Sequence, residues 1–119
     1  MSYKYPPDSD LRRLLRFEPN SGAIWLGERR MLLTHTLGLT ALRRDLVSSV
    51  GIEHTRRLLT RMGYASGVSD AEYAKKTRPN ASFQDCFMVG PQLHMLEGAA
   101  RVTPIKLTID PGSGKFYGE

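Results

Sequence analysis

The chain has 119 residues and a mass of 13.4 kDa, which is the size of one ordinary domain, so a single core must serve whatever function it has. Its 40% hydrophobic and 24% charged residues are close to globular averages and exclude wholesale disorder, a collagen-like repeat and a coiled coil. Seventeen Lys and Arg against twelve Asp and Glu give a net charge of +5, which makes nucleic acid or an acidic protein a partner class to test.

The residues 1–14 are expected to form an N-terminal arm, because the chain begins with a polar stretch that carries two prolines. The apolar segments 15–17 and 23–26 flank the turn sequence PNSG at 19–22, which predicts a β-hairpin. Neither segment is long enough for a signal peptide or a membrane span, and the same holds along the whole sequence. With the single cysteine, Cys86, this favours a cytoplasmic protein that does not contact a membrane.

The middle of the chain has helical periodicity. Between 34 and 50 the apolar residues recur every three or four positions, which predicts an amphipathic helix that Gly51 ends. A second helix is expected from Ile52 to about Gly67. The sequence SDAE at 69–72 has the form of a capping box and predicts a short third helix towards Thr77, and a fourth helical stretch should cover 82–97, interrupted at 90–91 by Gly-Pro. The apolar positions of the first helix are Leu39, Leu42, Leu46 and Val50.

The end of the chain alternates again: Ile105, Leu107 and Ile109 predict a half-buried strand, and residues 110–114 predict a turn into a returning strand. Strands at both ends of a helical middle indicate an α+β fold, in which the N-terminal and C-terminal β-hairpins form an antiparallel sheet packed on the helices. The sequence GSGK at 112–115 does not predict a nucleotide site, because Ile109 replaces the first glycine of a phosphate-binding loop and no helix follows.

The basic charge is concentrated in four arginine doublets, at 12–13, 29–30, 43–44 and 56–57. Neighbouring residues on a helix point about 100° apart, so a doublet alone does not make a phosphate-binding stripe. The simplest interpretation is that the arginines lie on solvated helix faces and pair locally with Asp45 or Glu53. A protein interface and nucleic-acid binding are the alternatives. Direct nucleic-acid binding is not expected, because aromatic stacking platforms do not interleave with the arginines.

The three histidines are scattered, and with one cysteine they predict no metal site. His35 shares the apolar face of the first helix and is expected to be packed or hydrogen-bonded, whereas His54 is expected to be exposed. His94 follows Phe87 by seven residues, two helical turns, so both can face one side. This pattern fits either a core or a pocket in which an aromatic wall takes a ring and one imidazole orients a hydroxyl. No nucleophile stands beside a base, so there are no catalytic candidates.

Several blocks of sequence resemble one known family, the N-terminal sensory domains of XylR/DmpR-type activators of aromatic catabolism. The blocks lie in family order at family spacings and extend over nearly the whole chain from about residue 15 to 117. They are GAIWLGERRMLL at 22–33, LRRDL at 42–46, RMGYASG at 61–67 with DAE at 70–72 and RP at 78–79, and GPQLHMLEG at 90–98.

The resemblance implies a bacterial sensor that binds phenol or another small aromatic effector and thereby releases a downstream ATPase domain to activate sigma-54-dependent transcription. By position, His94 matches the family's histidine that hydrogen-bonds the effector hydroxyl, Phe87 matches an aromatic pocket residue, and Leu96 matches an apolar wall residue. The resemblance also implies a non-enzymatic protein and a homodimer. The alternative is a protein-interaction or dimerisation module without independent ligand binding.

The family pattern continues beyond residue 119. We therefore expect residues 15–119 to be an aromatic-effector-sensing domain that is incomplete at its C-terminus. The resemblance places a further effector-contacting tryptophan, a zinc-binding segment, the ATPase and a DNA-binding domain downstream, so no cofactor is expected within this chain and zinc is expected only in that missing segment.

Overall fold

The structure is a computed structural model, and it describes residues 10–103, 105–110, 112–113 and 115–118. In this part of the chain a 3₁₀ turn, Leu11–Leu14, is followed by strands and helices in the order strand, helix, strand. The elements are β1 (Leu15–Glu18), β2 (Ala23–Leu26), β3 (Arg29–Met31), α1 (Thr36–Val50), α2 (Ile52–Thr77), α3 (Phe83–Phe87), α4 (Val89–Leu96), β4 (Leu107–Asp110) and β5 (Lys115–Gly118).

The predicted α+β class is confirmed, with strands at both ends and helices between them. The strands form two antiparallel sheets rather than one: β1, β2 and β3 make a three-stranded sheet, and β4 and β5 make a two-stranded sheet. Each sheet is a local meander or hairpin, so short turns supply the pairing and no long-range strand contact is needed.

The N-terminal hairpin is confirmed at the predicted place. Leu15 pairs with Leu26 and Glu18 with Ala23, across a turn in which Gly22 has a φ of 65°. A second turn at Gly27, with a φ of 61°, adds β3, which the sequence did not predict. Three residues are too short to show alternation, and two of them are arginines, which carry no strand signal.

The helix α1 is confirmed, and Gly51 ends it with a φ of 82°. The predicted stop of the second helix near Gly67 is wrong, because α2 runs without interruption for 26 residues and includes the SDAE sequence at 69–72. A glycine within a helix costs about 1 kcal/mol relative to alanine, which is too little to end a helix by itself. Gly67 has no positive φ, so it does not act as a cap.

The fourth helical stretch is divided at Met88 and not at Gly90-Pro91 as predicted. Ser82 caps α3, since its Oγ accepts a hydrogen bond of 3.1 Å from the backbone N–H of Asp85. Pro91 lies in the first turn of α4, where a backbone N–H has no intrahelical acceptor and its absence costs nothing.

The C-terminal hairpin is confirmed by the pairing of Leu107 with Gly118 and of Asp110 with Lys115. Within its turn, Gly112 N–H donates to Asp110 Oδ1 at 3.0 Å. The other predicted turn residues, Pro111 and Gly114, lie outside the described residues, as do residues 1–9 of the predicted arm. Among the described residues, no helix combines the length and the apolar character needed to cross a membrane.

The chain divides into two compact units, and α2 belongs to both. We call Leu14–Gly67 the central unit and the remaining described residues the terminal unit. The central unit contains the three-stranded sheet, α1 and the first part of α2. The terminal unit contains the end of α2, α3, α4 and the C-terminal hairpin.

Candidate functional site

The helix α4 has one buried face. Val89 and Leu93 have 0% exposure, Gln92 has 8%, and Met88 before the helix is buried as well. The spacing of three and four residues places Val89, Gln92 and Leu93 on one side of the helix. The buried residues of α4 therefore lie together on one side of the helix.

His94 lies on the other side of α4 and is exposed. A rotation of 100° per residue places its side chain about 160° from that of Leu96, which is half-buried and continues the buried face. The two predicted site residues of α4 therefore lie on different sides of the helix. Their roles in ligand binding remain predictions.

Phe87 is the last residue of α3 and is half-buried. Phe87 and His94 are expected to face one side across an interruption at Gly90-Pro91, and the structure places that interruption at Met88 instead. What the structure establishes is that Phe87 is separated from α4 by one residue, the buried Met88. The role of Phe87 as a pocket residue remains a prediction too.

A polar contact supports α4 from its buried face. The side-chain oxygen Oε1 of Gln92 accepts a hydrogen bond of 3.3 Å from Nη2 of Arg78, which directly follows α2. Neither residue is predicted above to take part in the site. A signal was available, because a glutamine among Val89, Leu93 and Leu96 on an apolar helical face predicts a buried polar group with a partner.

The other two histidines lie in the central unit and are exposed. This confirms the expectation for His54. The expectation for His35 is wrong: it is the N-cap residue of α1, a helix with no buried residues, and its side chain makes no capping hydrogen bond. Among the described residues, no group of three or more His, Cys, Asp or Glu could hold a metal ion.

The arginine doublets are solvated, as the simplest interpretation predicted, except that Arg29 is half-buried. Local pairing also holds, since Arg56 Nη2 lies 3.1 Å from Glu53 Oε1. The Arg30 guanidinium lies 5.6 Å from the centre of the Trp25 ring, within the range of a cation–π contact.

The shifted carboxyl pKa values belong to Asp10, which precedes the first 3₁₀ turn, and to Asp110, which lies in the C-terminal hairpin. Hydrogen bonds from the Arg12 side chain and backbone lower the pKa of Asp10 to about 2. The Ser113 hydroxyl and the Gly112 N–H lower the pKa of Asp110. These shifts have structural causes, a local ion pair and a hairpin turn, and do not mark a catalytic site.

The central unit exposes most of its large apolar side chains. No residue of α1 is buried, and Leu32 and Leu37 are 84% and 74% exposed. Of the exposed large apolar residues in the described chain, thirteen lie in the central unit and four in the terminal unit. The thirteen are Leu14, Phe17, Leu32, Leu33, Leu37, Leu39, Leu42, Val47, Val50, Ile52, Leu59, Met62 and Tyr64.

Comparisons with known proteins agree with one another. A family model described as activator of aromatic catabolism, XylR_N, matches residues 10–110. The transcriptional regulatory protein XylR of Pseudomonas putida is 38% identical over 122 residues, which cover 98% of this chain and 22% of XylR. The phenol regulator MopR of Acinetobacter guillouiae is 40% identical over 110 residues, covering 92% of this chain and 20% of MopR.

A solved structure matches the fold. It is the crystal structure of the phenol-responsive sensory domain of the transcription activator PoxR with phenol, which aligns with a TM-score of 0.83 and 48% identity. The alignment covers 92% of this chain and 55% of that domain. The chain thus spans about a fifth of the length of XylR and MopR and about half of the solved sensory domain.

The fold and these matches define a class of regulatory sensory domains and not an enzyme family. The chain belongs to the XylR_N family, the activators of aromatic catabolism.

Proposed function

We propose that this chain senses phenol or a similar small aromatic effector for a bacterial, cytoplasmic activator of sigma-54-dependent transcription. The observation that carries the proposal is the match to a phenol-bound sensory domain over 92% of the chain, at 48% identity. In this proposal the chain performs no catalysis. Effector binding relieves the repression of a downstream ATPase domain, and DNA contact and a zinc site belong to segments outside residues 1–119.

In the proposed site, His94 binds the effector hydroxyl. Its position on the exposed side of α4, opposite the buried face, leaves the imidazole accessible to a ligand. Imidazole can donate or accept a hydrogen bond, so it suits a phenol hydroxyl. Phe87 supplies aromatic surface beside the ring. Leu96 lies on the opposite side of α4 from His94, so its role in the site rests on the resemblance to the family.

The test is calorimetric titration of the chain with phenol. We expect His94→Ala to weaken binding by about 1–3 kcal/mol, the cost of losing a buried hydrogen bond. His54→Ala is the matched control, because His54 is exposed in the central unit, and it should leave the affinity unchanged. Equal affinities of the His94→Ala variant and the natural chain would contradict this site.

A second arm covers the case in which the 119-residue chain binds no phenol. The titration is then repeated with a longer form of the protein that includes the expected zinc-binding segment. Binding that depends on His94 in the longer form supports the site and shows that downstream residues complete it. Absence of binding in both forms contradicts the sensing function.

A second function, self-association, is favoured by the exposed apolar side chains of the central unit. We propose that α1 packs against α1 of a second copy through its apolar stripe, defined as Leu39, Leu42, Leu46 and Val50. Burying one such side chain removes roughly 60–120 Å² from water, and a standard interface buries about 800 Å² per partner. The four side chains of the stripe supply roughly 240–480 Å² of this area. Other exposed apolar side chains of the central unit, such as Leu32 and Leu37, must supply the rest.

A further inference from the structure

The side chain of Gln92 is an amide in an apolar position. It is 8% exposed and lies between Val89 and Leu93, which are fully buried. A buried amide must be hydrogen-bonded to offset the loss of water, and an apolar side chain of the same size would carry no such cost. Stability therefore does not explain a glutamine here, whereas a directional contact does.

The partner of this amide, Arg78, has a backbone that is held in place by hydrogen bonds. Arg78 N–H donates to Ala74 O at 3.0 Å, so the residue continues the hydrogen bonding of the last turn of α2. Ala81 N–H in turn donates to Arg78 O at 3.2 Å. The guanidinium thus reaches Gln92 from a backbone that is fixed on both sides, and its planar shape makes the contact sensitive to angle.

The hydrogen bond acts on the rotation of α4. Contacts of Val89 and Leu93 are apolar and non-directional, so they tolerate small rotations of the helix about its axis. The bond from Arg78 to Gln92 does not tolerate them, because hydrogen bonds weaken steeply with angle. His94 follows Gln92 by two residues on the same rigid helix, so any rotation that breaks this bond also redirects the imidazole.

We propose that Arg78 and Gln92 are positioning residues for the effector site: their hydrogen bond fixes the rotation of α4 and thereby the direction of His94. The proposal rests on the function proposed above, in which His94 binds the effector hydroxyl. It predicts that the pair controls recognition of the hydroxyl, while the affinity for the aromatic ring depends on other contacts.

The first test compares phenol with toluene, which has the ring and no hydroxyl. Gln92→Met conserves volume and removes the polar atoms, so we expect the fold to persist. Its affinity for phenol should fall roughly tenfold, the scale of one hydrogen bond, and its affinity for toluene should stay unchanged. Gln92→Glu keeps an acceptor for Arg78 and should retain the preference of the natural chain for phenol over toluene. Equal losses for both ligands would show a merely structural role and overturn the proposal.

A double-mutant cycle tests whether Arg78 and Gln92 act together. Arg78→Met should reduce the phenol-to-toluene affinity ratio as much as Gln92→Met does, and the double variant should be no worse than either single variant. Additive losses would show that the two residues act independently, which contradicts the proposal.

A second measurement needs no ligand. Residual dipolar couplings of the amides in α4, compared with those at the end of α2, report the orientation of α4. We expect these couplings to change in Gln92→Met and to keep the values of the natural chain in Gln92→Glu. Unchanged couplings in Gln92→Met overturn the positioning role whatever the ligand data show.

His94→Ala separates the two proposals. If it abolishes the preference for phenol and Gln92→Met does not, the positioning role alone is wrong. If it leaves that preference intact, or if neither phenol nor toluene binds to the 119-residue chain or to its longer form, the proposed effector site is wrong. The dipolar couplings still decide whether the pair orients α4.

Discussion

Two polar residues of α4, Gln92 and His94, lie two positions apart and in opposite environments. Gln92 is buried and bonded to Arg78, and His94 is exposed. On a helix that is otherwise mostly apolar, the first has a partner within the chain and the second is accessible to a partner from outside. Burial therefore distinguishes the positioning role that we propose for Gln92 from the ligand-binding role that we propose for His94, although both side chains can form hydrogen bonds.

Gly51, between α1 and α2, has a backbone conformation that other residues rarely adopt, with φ at 82° and ψ at 162°. We expect Gly51→Ala to lower the free energy of unfolding by about 1–3 kcal/mol, the usual cost of a side chain in this region. A Cβ at this position meets no atom within 4 Å, so the loss arises from the backbone and not from a clash. Urea denaturation measures the effect.

Gly63→Ala is the matched control for this prediction. Gly63 lies inside α2, has no positive φ and also has open space around a Cβ. The same substitution should raise the free energy of unfolding by about 0.5–1 kcal/mol, because alanine favours a helix over glycine. A loss of stability at both positions, or at neither, would contradict the explanation from backbone conformation.

At the scale of single elements, the C-terminal hairpin depends on the charge of Asp110. Its Oδ2 accepts a hydrogen bond of 2.6 Å from Ser113 Oγ, and its Oδ1 accepts one from Gly112 N–H. These bonds favour the ionised carboxylate and lower its pKa below the ordinary value of 3.8. The hairpin therefore gains stability above that ordinary pKa and loses it as the pH falls through the lower, folded value.

Removing the Ser113 hydroxyl should reverse the largest single part of this pKa shift, since the Ser113 hydrogen bond is its largest cause. We expect Ser113→Ala to raise the pKa of Asp110 towards 3.8, as followed by the chemical shift of its carboxyl carbon during an NMR titration. In Asp110→Asn, the amide signals of β4 and β5 should no longer change in this acidic range. A pKa of Asp110 that is the same with and without the hydroxyl would refute the assignment.

The sequence predicts elements best where a turn residue and a periodic pattern coincide. Gly22 and Gly51 stand at such places, and the N-terminal hairpin and α1 are found there. The prediction that the second helix ends near Gly67 is wrong. SDAE at 69–72 matches a capping box, but α2 continues through these residues, so the motif does not begin a new helix. The three residues of β3 carry no pattern of their own, since pairing with β2 determines that strand.

The candidate site was predictable only through the resemblance to the family. Periodicity predicts that Phe87 and His94 can face one side, and this stays a prediction. The structure places Leu96 on the opposite side of α4 from His94. The contact between Arg78 and Gln92 joins residues 14 positions apart across a segment that contains α3. Its geometry depends on how the chain turns after α2, which no local pattern specifies.

At the scale of the whole molecule, the exposed stripe of α1 predicts self-association. Analytical ultracentrifugation of the natural chain should show a dimer. Leu42→Asp should give a monomer with an unchanged helical circular dichroism spectrum, because the carboxylate would be buried without a partner in the dimer. Ser48→Asp, exposed on the opposite side of α1, should leave the dimer intact.

Two results would contradict this prediction: a natural chain that is monomeric at all concentrations, or a Leu42→Asp variant that remains dimeric. Sedimentation in increasing salt also tests the role of the basic charge. An interface made by apolar side chains should not weaken as salt rises, whereas one that depends on the exposed arginines should.

The continuity of α2 limits how proteins of this family can be recombined. The boundary between the central and terminal units falls between Gly67 and Val68, inside a helix of 26 residues. A chimera joined at that boundary would bring together two half-helices from different parents, with mismatched side chains on every face of the joint. Exchange of segments between relatives should instead place its junctions at Gly51 or in the loop after Arg78, so that α2 is inherited from one parent as a whole.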